Sequence, residues 1–591
     1  MRKFFLRMNT ILVIVLLCGL FSVAQGQGLF LPEEIRPGLR GVAKTVISGN
    51  TIETFDVEVL GLVPQSPPLS NLIMVRVSGD VIERSGGIAQ GMSGSPVYIQ
   101  DRLLGAIGYT YAQTDHRIGL VTPAVDMFKL YEQISLPDPV LPPGTTALQS
   151  PLIVQGLNER NTRFLTESLG VGRVSTAPSL TSDDIYKSIA LQAGSMIGVQ
   201  LLRGDFQVAS FGTVTHVKED GRFIAFGHPF THYGKVDFFA SAAYVHHTLP
   251  SIELPFKIVS LGSTIGKIEQ DRAVGLGGSL ASQPEYVSIN IQVRDRDRDI
   301  RRSFNVEAVK EPSIMVPLVI SSAYQSIDAT LDRLGAGTSF VRLEFTAKDF
   351  NQRMIRENLF YSDSDIAVWS LTDLLSGLEL LANNNLQEVD LQDVRIEVEV
   401  AQERKTATIE KAVPSTFYVK PGEFVDVDVT IRPYRGTSEI RTLRIEVPQD
   451  IAPGLLTVTV RGGGAGYYVE KPPVHTSPLE STEDENEPVR QVISGAESLD
   501  ALITEYMERE RNNEIVAEFY PFLDVSAQEE ESDALEDDGG EVEEVEEEET
   551  VYQAPLSYFS WADTPSDATK VRLATQFIID GMATFDLNVY Q

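Results

Sequence analysis

The stretch Gly86-Gly87-Ile88-Ala89-Gln90-Gly91-Met92-Ser93-Gly94-Ser95-Pro96 sets a serine among glycines on both sides and leads directly into the apolar run Pro96-Val97-Tyr98-Ile99. Glycine admits backbone conformations closed to other residues, so a tight turn can form here with its N–H groups converging. A serine in such a turn can attack a carbonyl while those N–H groups hold the developing oxyanion, and Gly91 and Ser93 are the candidate donors. The string departs from the G-x-S-x-G elbow, because Ser95 stands where that motif needs glycine. A plain turn between two strands remains the alternative reading.

Short alternating runs surround this string, among them Val57-Glu58-Val59-Leu60, Leu72 to Val77 and Leu103 to Ile107. Strands at such spacing predict a small barrel or sandwich from about Arg36 to Tyr131, and Pro137 to Pro143 reads as a connector. A second β-rich block runs from about Gly194 to Val293, with Lys218-Glu219-Asp220-Gly221 as a hairpin turn. Within it, Phe223-Ile224-Ala225-Phe226-Gly227-His228-Pro229-Phe230 places a histidine at the end of an apolar strand. Imidazole titrates near neutral pH and can take a hydroxyl proton, so His228 is the candidate base; a histidine satisfied by backbone partners is the structural alternative. His232, His246 and His247 lie nearby, but no spacing of a metal-binding helix accompanies them, and neither a metal nor a cofactor is expected.

At these two strings the chain resembles the SpoIVB-type serine peptidases: the Ser93 string is similar to that family's serine motif, and Gly212 to Pro229 is similar to its histidine motif. The resemblance covers roughly residues 36–293, a little under half of the chain. It implies a chymotrypsin-like double β-barrel with an active site between the halves, Ser93 as nucleophile and His228 as general base. In the sporulation peptidase the histidine precedes the serine, so the two halves here read as permuted; a triad is defined by roles in space, not by chain order. The family's aspartate falls shortly before its serine motif, where this chain reads Val77-Ser78-Gly79-Asp80. Asp80, after a small shift, and Asp271 are the two candidates for the third member. No segment resembles the PDZ domain of the sporulation peptidase.

The rest of the chain of 591 residues divides by pattern. Residues 313–333 and 363–384 read as helices, the second with Ile366, Trp369, Leu371, Leu374, Leu375 and Leu378 on about one face. Alternation returns from Val394 to Arg461 and predicts an immunoglobulin-like β-sandwich. Ser498 can cap a helix with Leu499, Leu502, Ile503 and Tyr506 at i, i+3, i+4 and i+7, and Val571 to Tyr590 reads as strand. The expected organisation is therefore mainly β: 1–26 signal peptide, 27–140 serine-bearing half, 141–300 histidine-bearing half, 301–390 α+β segment, 391–470 sandwich, and 471–591 acidic linkers, helix and strands.

Arg2, Lys3 and Arg7 ahead of an apolar run from Ile11 to Val23, followed by Ala24-Gln25-Gly26, have the order of a secretory signal. The alternative is a retained anchor, although the run is shorter than the ~20 residues that span a bilayer. No later segment reads as apolar enough to span. Export to the periplasm or beyond is expected, and the only cysteine, Cys18, lies in the signal, so no disulfide framework is available to the mature chain. The net charge of −34 is concentrated in part in fourteen acidic residues between Glu529 and Glu549. Such runs stay solvated, and a polyanion is a poor partner for nucleic acid. The expected partners are a protein or peptide substrate at Ser93 and an envelope protein on the sandwich. Two functions fit: a selective exported endopeptidase, or a peptidase-fold scaffold without activity.

Overall fold

The computed structural model describes residues 28–111, 113–148, 151–170, 174–177, 190–348, 350–351, 353–464, 496–519 and 569–590. The expected signal peptide and the acidic run between Glu529 and Glu549 lie outside them. The chain is mainly β and forms two compact units. One comprises the residues up to Leu157, Thr162–Tyr286 and Glu307–Ile314; the other comprises Asn158–Asn161, Val287–Val306 and the residues from Met315 onward.

The first unit holds two rings of paired strands. In the first, β1 (Arg40–Thr45), β2 (Glu53–Val63), β3 (Leu72–Ser78), β4 (Pro96–Ile99), β5 (Arg102–Tyr111) and β6 (Ile118–Pro123) pair in the order β4-β1-β2-β3-β6-β5. A further β4–β5 pairing closes them into a six-stranded barrel. Alternation explains the closure: Phe55, Val57 and Val59 of β2 and Ile73, Val75 and Val77 of β3 point to one interior, where they meet Val97, Leu104 and Val121. Closure leaves no unpaired sheet edge in this ring.

In the second ring, β7 (Met196–Gly204), β8 (Gln207–Val217), β9 (Arg222–Ala225), β10 (Gly234–Leu249), β11 (Phe256–Arg272) and β12 (Gly275–Ser279) pair in the order β7-β10-β11-β12-β9-β8. A β7–β8 pairing joins the ends. The turn expected at 218–221 is present, since Gly221 N–H donates to the Lys218 carbonyl and Lys218 N–H to that of Arg222.

In the second unit, strand Leu391–Ala401 pairs antiparallel with Gly337–Ala347 and parallel with Tyr286–Asp295. Helix Pro312–Leu331 falls where the apolar spacing places it, whereas the single helix expected over 363–384 is two, Ile366–Trp369 and Thr372–Asn383, and Trp369, expected on the apolar face, is exposed. Pro312–Leu331 corrects one expectation, because it is long and apolar enough to cross a membrane. However, 83% of its most apolar window is buried within the protein. Its Ser322, Ser326 and Thr330 hydroxyls each bond the carbonyl four residues back, so these three buried hydroxyls are satisfied inside the helix.

Two further sheets, Glu439–Glu446, Phe424–Pro433, Thr406–Pro414 and Ile578–Asp580 on one side, and Tyr418–Val419, Met582–Val589, Gly454–Gly462, Glu514–Phe519 and Thr569–Ala574 on the other, share one apolar core. This layer draws strands from both sides of the acidic run. Helix Leu499–Glu508 is capped as expected, with Ala501 N–H donating to Ser498 Oγ at 3.2 Å.

Candidate active site

Ser93 lies between helix Asp80–Ser85 and β4, in a loop whose carbonyls are held from the second barrel. The Gln90 carbonyl accepts from Lys257 N–H, that of Gly91 from Thr213 Oγ1 at 2.9 Å, that of Ser93 from Thr213 N–H at 2.7 Å, and that of Gly94 from Thr215 Oγ1 at 2.8 Å. Inside the loop, Met92 N–H reaches the Ala89 carbonyl and Ser95 N–H that of Met92. Among the described residues neither Gly91 nor Ser93 N–H finds an acceptor, which leaves both available to an incoming oxyanion.

Two glycines make this approach possible. Gly94 has φ +90°, and a Cβ on it would overlap the Thr213 carbonyl oxygen and the Phe226 nitrogen. At Gly212 a Cβ would stand 2.6 Å from two ring carbons of Phe226 and 2.9 Å from Ser93 Oγ. The Phe226 ring and the Ser93 hydroxyl thus converge on the same bare patch of β8.

His228 follows β9 through Phe226 and Gly227, whose φ values are +70° and +71°. Left-handed backbone costs a residue with a Cβ about 1–2 kcal/mol, so the bulky Phe226 is held there by its surroundings. The first barrel contributes Thr122, whose hydroxyl donates to the Gly227 carbonyl at 2.6 Å, and Tyr109, whose ring centroid is 6.1 Å from that of His228. Phe226 lies on another side at 5.8 Å. His228 Nδ1 is 2.6 Å from the Pro229 carbonyl oxygen. A carbonyl only accepts, so Nδ1 carries the proton and the Nε2 lone pair is free. Complete burial pushes the imidazole down to about 4, against smaller opposing effects of the Pro229 carbonyl and the Asp271 charge. It is therefore neutral at physiological pH, the form a general base requires.

Asp271, on β11, does not bond His228. It accepts from three successive N–H groups, Phe230 at 2.8 Å, Thr231 at 2.6 Å and His232 at 2.9 Å, and from Thr231 Oγ1 at 2.6 Å. Its carboxylate fixes the loop that carries the histidine. Asp80 is elsewhere, at the start of helix Asp80–Ser85, with an 81% exposed side chain paired with Arg84. The position beside Nδ1 that a triad gives to a carboxylate is filled by the Pro229 carbonyl.

Ser93 and His228 are both fully buried, and among the described residues neither Ser93 Oγ nor His228 Nε2 has a hydrogen-bond partner. The two atoms accordingly do not bond each other. Buried polar atoms without partners are uncommon and call for an explanation. Here two of them belong to the residues singled out for chemistry.

Residues 28–122 match the family model of SpoIVB peptidase S55. The match takes in β1 to β5, most of β6 and the whole Ser93 loop, and agrees with the resemblance drawn from the serine string. His228 lies outside the matched residues. Neither the curated proteins nor the solved structures give a significant match.

Sequence reasoning missed Thr213 and Thr215, which tie the serine loop to the second barrel, and Lys257, whose Nζ is 3.1 Å from the Gly91 carbonyl oxygen. The only signal for Lys257 is its phase: it shares the inward side of β11 with the buried Val259 and Leu261, while Ile258 between them is 41% exposed.

Proposed function

We propose that the first unit is a serine endopeptidase of SpoIVB type in a permuted chymotrypsin-like arrangement, acting on protein or peptide substrates outside the cytoplasm. The observation that carries this reading is the meeting of the two loops: the Ser93 loop of one barrel is hydrogen-bonded to the strand beside the His228 loop of the other, and both functional atoms are unpaired. Ser93 Oγ attacks the scissile carbonyl as its proton passes to His228 Nε2. Gly91 and Ser93 N–H receive the oxyanion, and collapse releases the amine with the proton from Nε2, leaving an ester on Ser93. Water, deprotonated by His228, then frees the acid and restores the serine. The Pro229 carbonyl keeps the imidazole in the required tautomer. Substrate entry requires the Phe226 ring to leave its place beside Ser93. The two-sheet layer of the second unit is read as an immunoglobulin-like sandwich that holds an envelope partner.

A second reading, a peptidase-fold scaffold without activity, is favoured by the full burial of Ser93 and His228 and by the absence of a bond between them. Labelling of the full chain with a fluorophosphonate separates the two. Uptake that is lost in Ser93→Ala and falls steeply in His228→Ala supports the enzyme, with the double variant little worse than either single one, because groups acting as a unit are non-additive. Uptake unchanged in Ser93→Ala, or none in the wild type, supports the scaffold.

A further inference from the structure

Lys257 is the second residue of β11, and its side chain is buried in the barrel. Its Nζ lies 3.0 Å from Thr45 Oγ1 on β1, 3.1 Å from the Gly91 carbonyl oxygen and 3.2 Å from Met196 Sδ on β7. An ammonium has three donors and no acceptor, and these three groups match it one for one. A neutral amine keeps two donors, enough for the Gly91 carbonyl and Met196 Sδ, and can hold Thr45 only by accepting its hydroxyl proton, so what it loses is the charge that strengthens all three bonds. The elements packed around it present Thr45, Gln90, Met196, Phe211, Thr213 and Thr248, none of which carries charge. Burial alone, with no carboxylate to offset it, pushes the lysine down to about 7.

The backbone of the same residue grips the same loop. Gln90 N–H donates to the Pro255 carbonyl at 2.7 Å, and Lys257 N–H donates to the Gln90 carbonyl at 3.3 Å. A trans peptide points its N–H opposite to its C=O, so the bond to the Gln90 carbonyl turns Gly91 N–H away from β11. The peptide on the other side of Gly91 is held by its carbonyl, which receives Lys257 Nζ and Thr213 Oγ1 together. Both planes flanking Gly91 are thereby fixed, and with them its φ of +91°.

We propose that Lys257 is a positioning residue for the Ser93 loop, which in its protonated form locks Gly91 so that the Gly91 and Ser93 N–H groups are held ready for the oxyanion. The proposal rests on the serine-peptidase reading for its purpose, but not for its test. Loss of the proton loosens the loop, so Ser93 reactivity falls as Lys257 deprotonates.

Two measurements on the full chain test it. The first is the rate of fluorophosphonate labelling from pH 5 to 9 in the wild type and in Lys257→Met, which keeps the volume of the side chain and removes the donors. The expected result is an alkaline fall near neutral pH in the wild type, and in the variant a rate at least tenfold lower with no alkaline fall. A variant with the wild-type rate and profile overturns the proposal. The second needs no activity: hydrogen exchange of the peptide spanning residues 88–95, corrected for intrinsic rates. Exchange at pH 6 at least tenfold faster in Lys257→Met, with the peptide spanning residues 425–431 unchanged, supports positioning, and equal exchange overturns it. If the wild type takes up no probe, the peptidase reading falls while exchange still decides the role of Lys257. Should Lys257→Met fail to fold, the wild type alone decides, since protection of residues 88–95 must drop between pH 6 and 9, and constant protection overturns the proposal.

Discussion

Gly94 is pressed against Phe226 so closely that a Cβ on the glycine would overlap the phenylalanine nitrogen, while Phe226 N–H itself donates to the Thr213 carbonyl at 3.3 Å. The residue after the candidate nucleophile therefore serves as the point where the serine loop and the histidine loop touch. Gly94→Ala meets two obstacles, the φ of +90° and the overlap with two backbone atoms that cannot rotate away. Left-handed strain alone costs about 1–2 kcal/mol, and displacing packed backbone adds a further 1–3 kcal/mol by analogy with overpacked cores. A denaturant midpoint in Gly94→Ala equal to that of the wild type would show that the loops are not in this contact.

The two aspartates considered for the triad are expected to behave in opposite ways. Asp271 accepts four hydrogen bonds, all from donors, and Asp271→Asn turns an NH₂ group toward N–H groups that need an acceptor. A buried donor left unsatisfied costs about 1–3 kcal/mol, and more where a charged partner is lost, so a loss on the order of 3 kcal/mol is expected. Labelling of Ser93 should drop with it, because the His228 loop loses its anchor. Asp80→Asn breaks an exposed pair and should leave both the unfolding midpoint and the labelling rate as they were. Equal losses in the two variants would sink this assignment.

The contrast shows what the sequence could tell and what it could not. The serine and histidine strings were legible because glycine and proline around a reactive residue constrain the backbone locally. The strands of the first barrel were legible from period-2 alternation, and the hairpin at 218–221 from its Asp-Gly pair. Alternation does not name a partner, however. Leu391–Ala401 has the same pattern as the other strands expected to form a sandwich, yet it pairs with Gly337–Ala347, and the core shared by the two further sheets is completed by Glu514–Phe519 and by strands after Thr569. Nor does a carboxylate reveal its donors: Asp271 reads as a triad candidate, while its actual partners are backbone N–H groups that leave no trace in the sequence. Pro312–Leu331 is apolar enough to mimic a membrane span because burial within a protein and burial in lipid select the same residues.

Two limbs of pH-dependent stability follow from the buried bases. His228 has its native pKa lowered to about 4 from 6.5, so between these values the unfolded chain binds a proton that the native chain does not. Stability therefore rises with pH through this window, and acidification from 6.5 to 4 costs on the order of 3 kcal/mol. Lys257 has its native pKa lowered to about 7 from 10.5, so by the same sign stability rises again between about 7 and 10.5. Denaturant midpoints across pH should show both limbs. His228→Asn should remove the contribution of the acid limb and Lys257→Met that of the alkaline limb, each leaving the other in place. A wild-type curve flat from pH 7 to 10 would mean that Lys257 is not buried as an unpaired cation.

Phe226 offers the sharpest test of whether the closed site is a resting form of an enzyme. Its ring is buried, lies against Gly212 beside Ser93 Oγ and flanks His228, and its backbone is in a region costly for any side chain. Phe226→Gly relieves about 1–2 kcal/mol of left-handed strain but removes a buried aromatic side chain, a loss of about 3–5 kcal/mol. The net expectation is a protein less stable by about 1–4 kcal/mol. If the ring is what keeps a substrate from Ser93, labelling measured well below the unfolding midpoint should nevertheless be faster than in the wild type, by tenfold or more, and should still require both Ser93 and His228. The opposing directions of the two effects separate access from stability, since a merely damaged protein loses both. Slower labelling in Phe226→Gly, or faster labelling that persists in His228→Ala, would show that the ring supports the site and does not cover it.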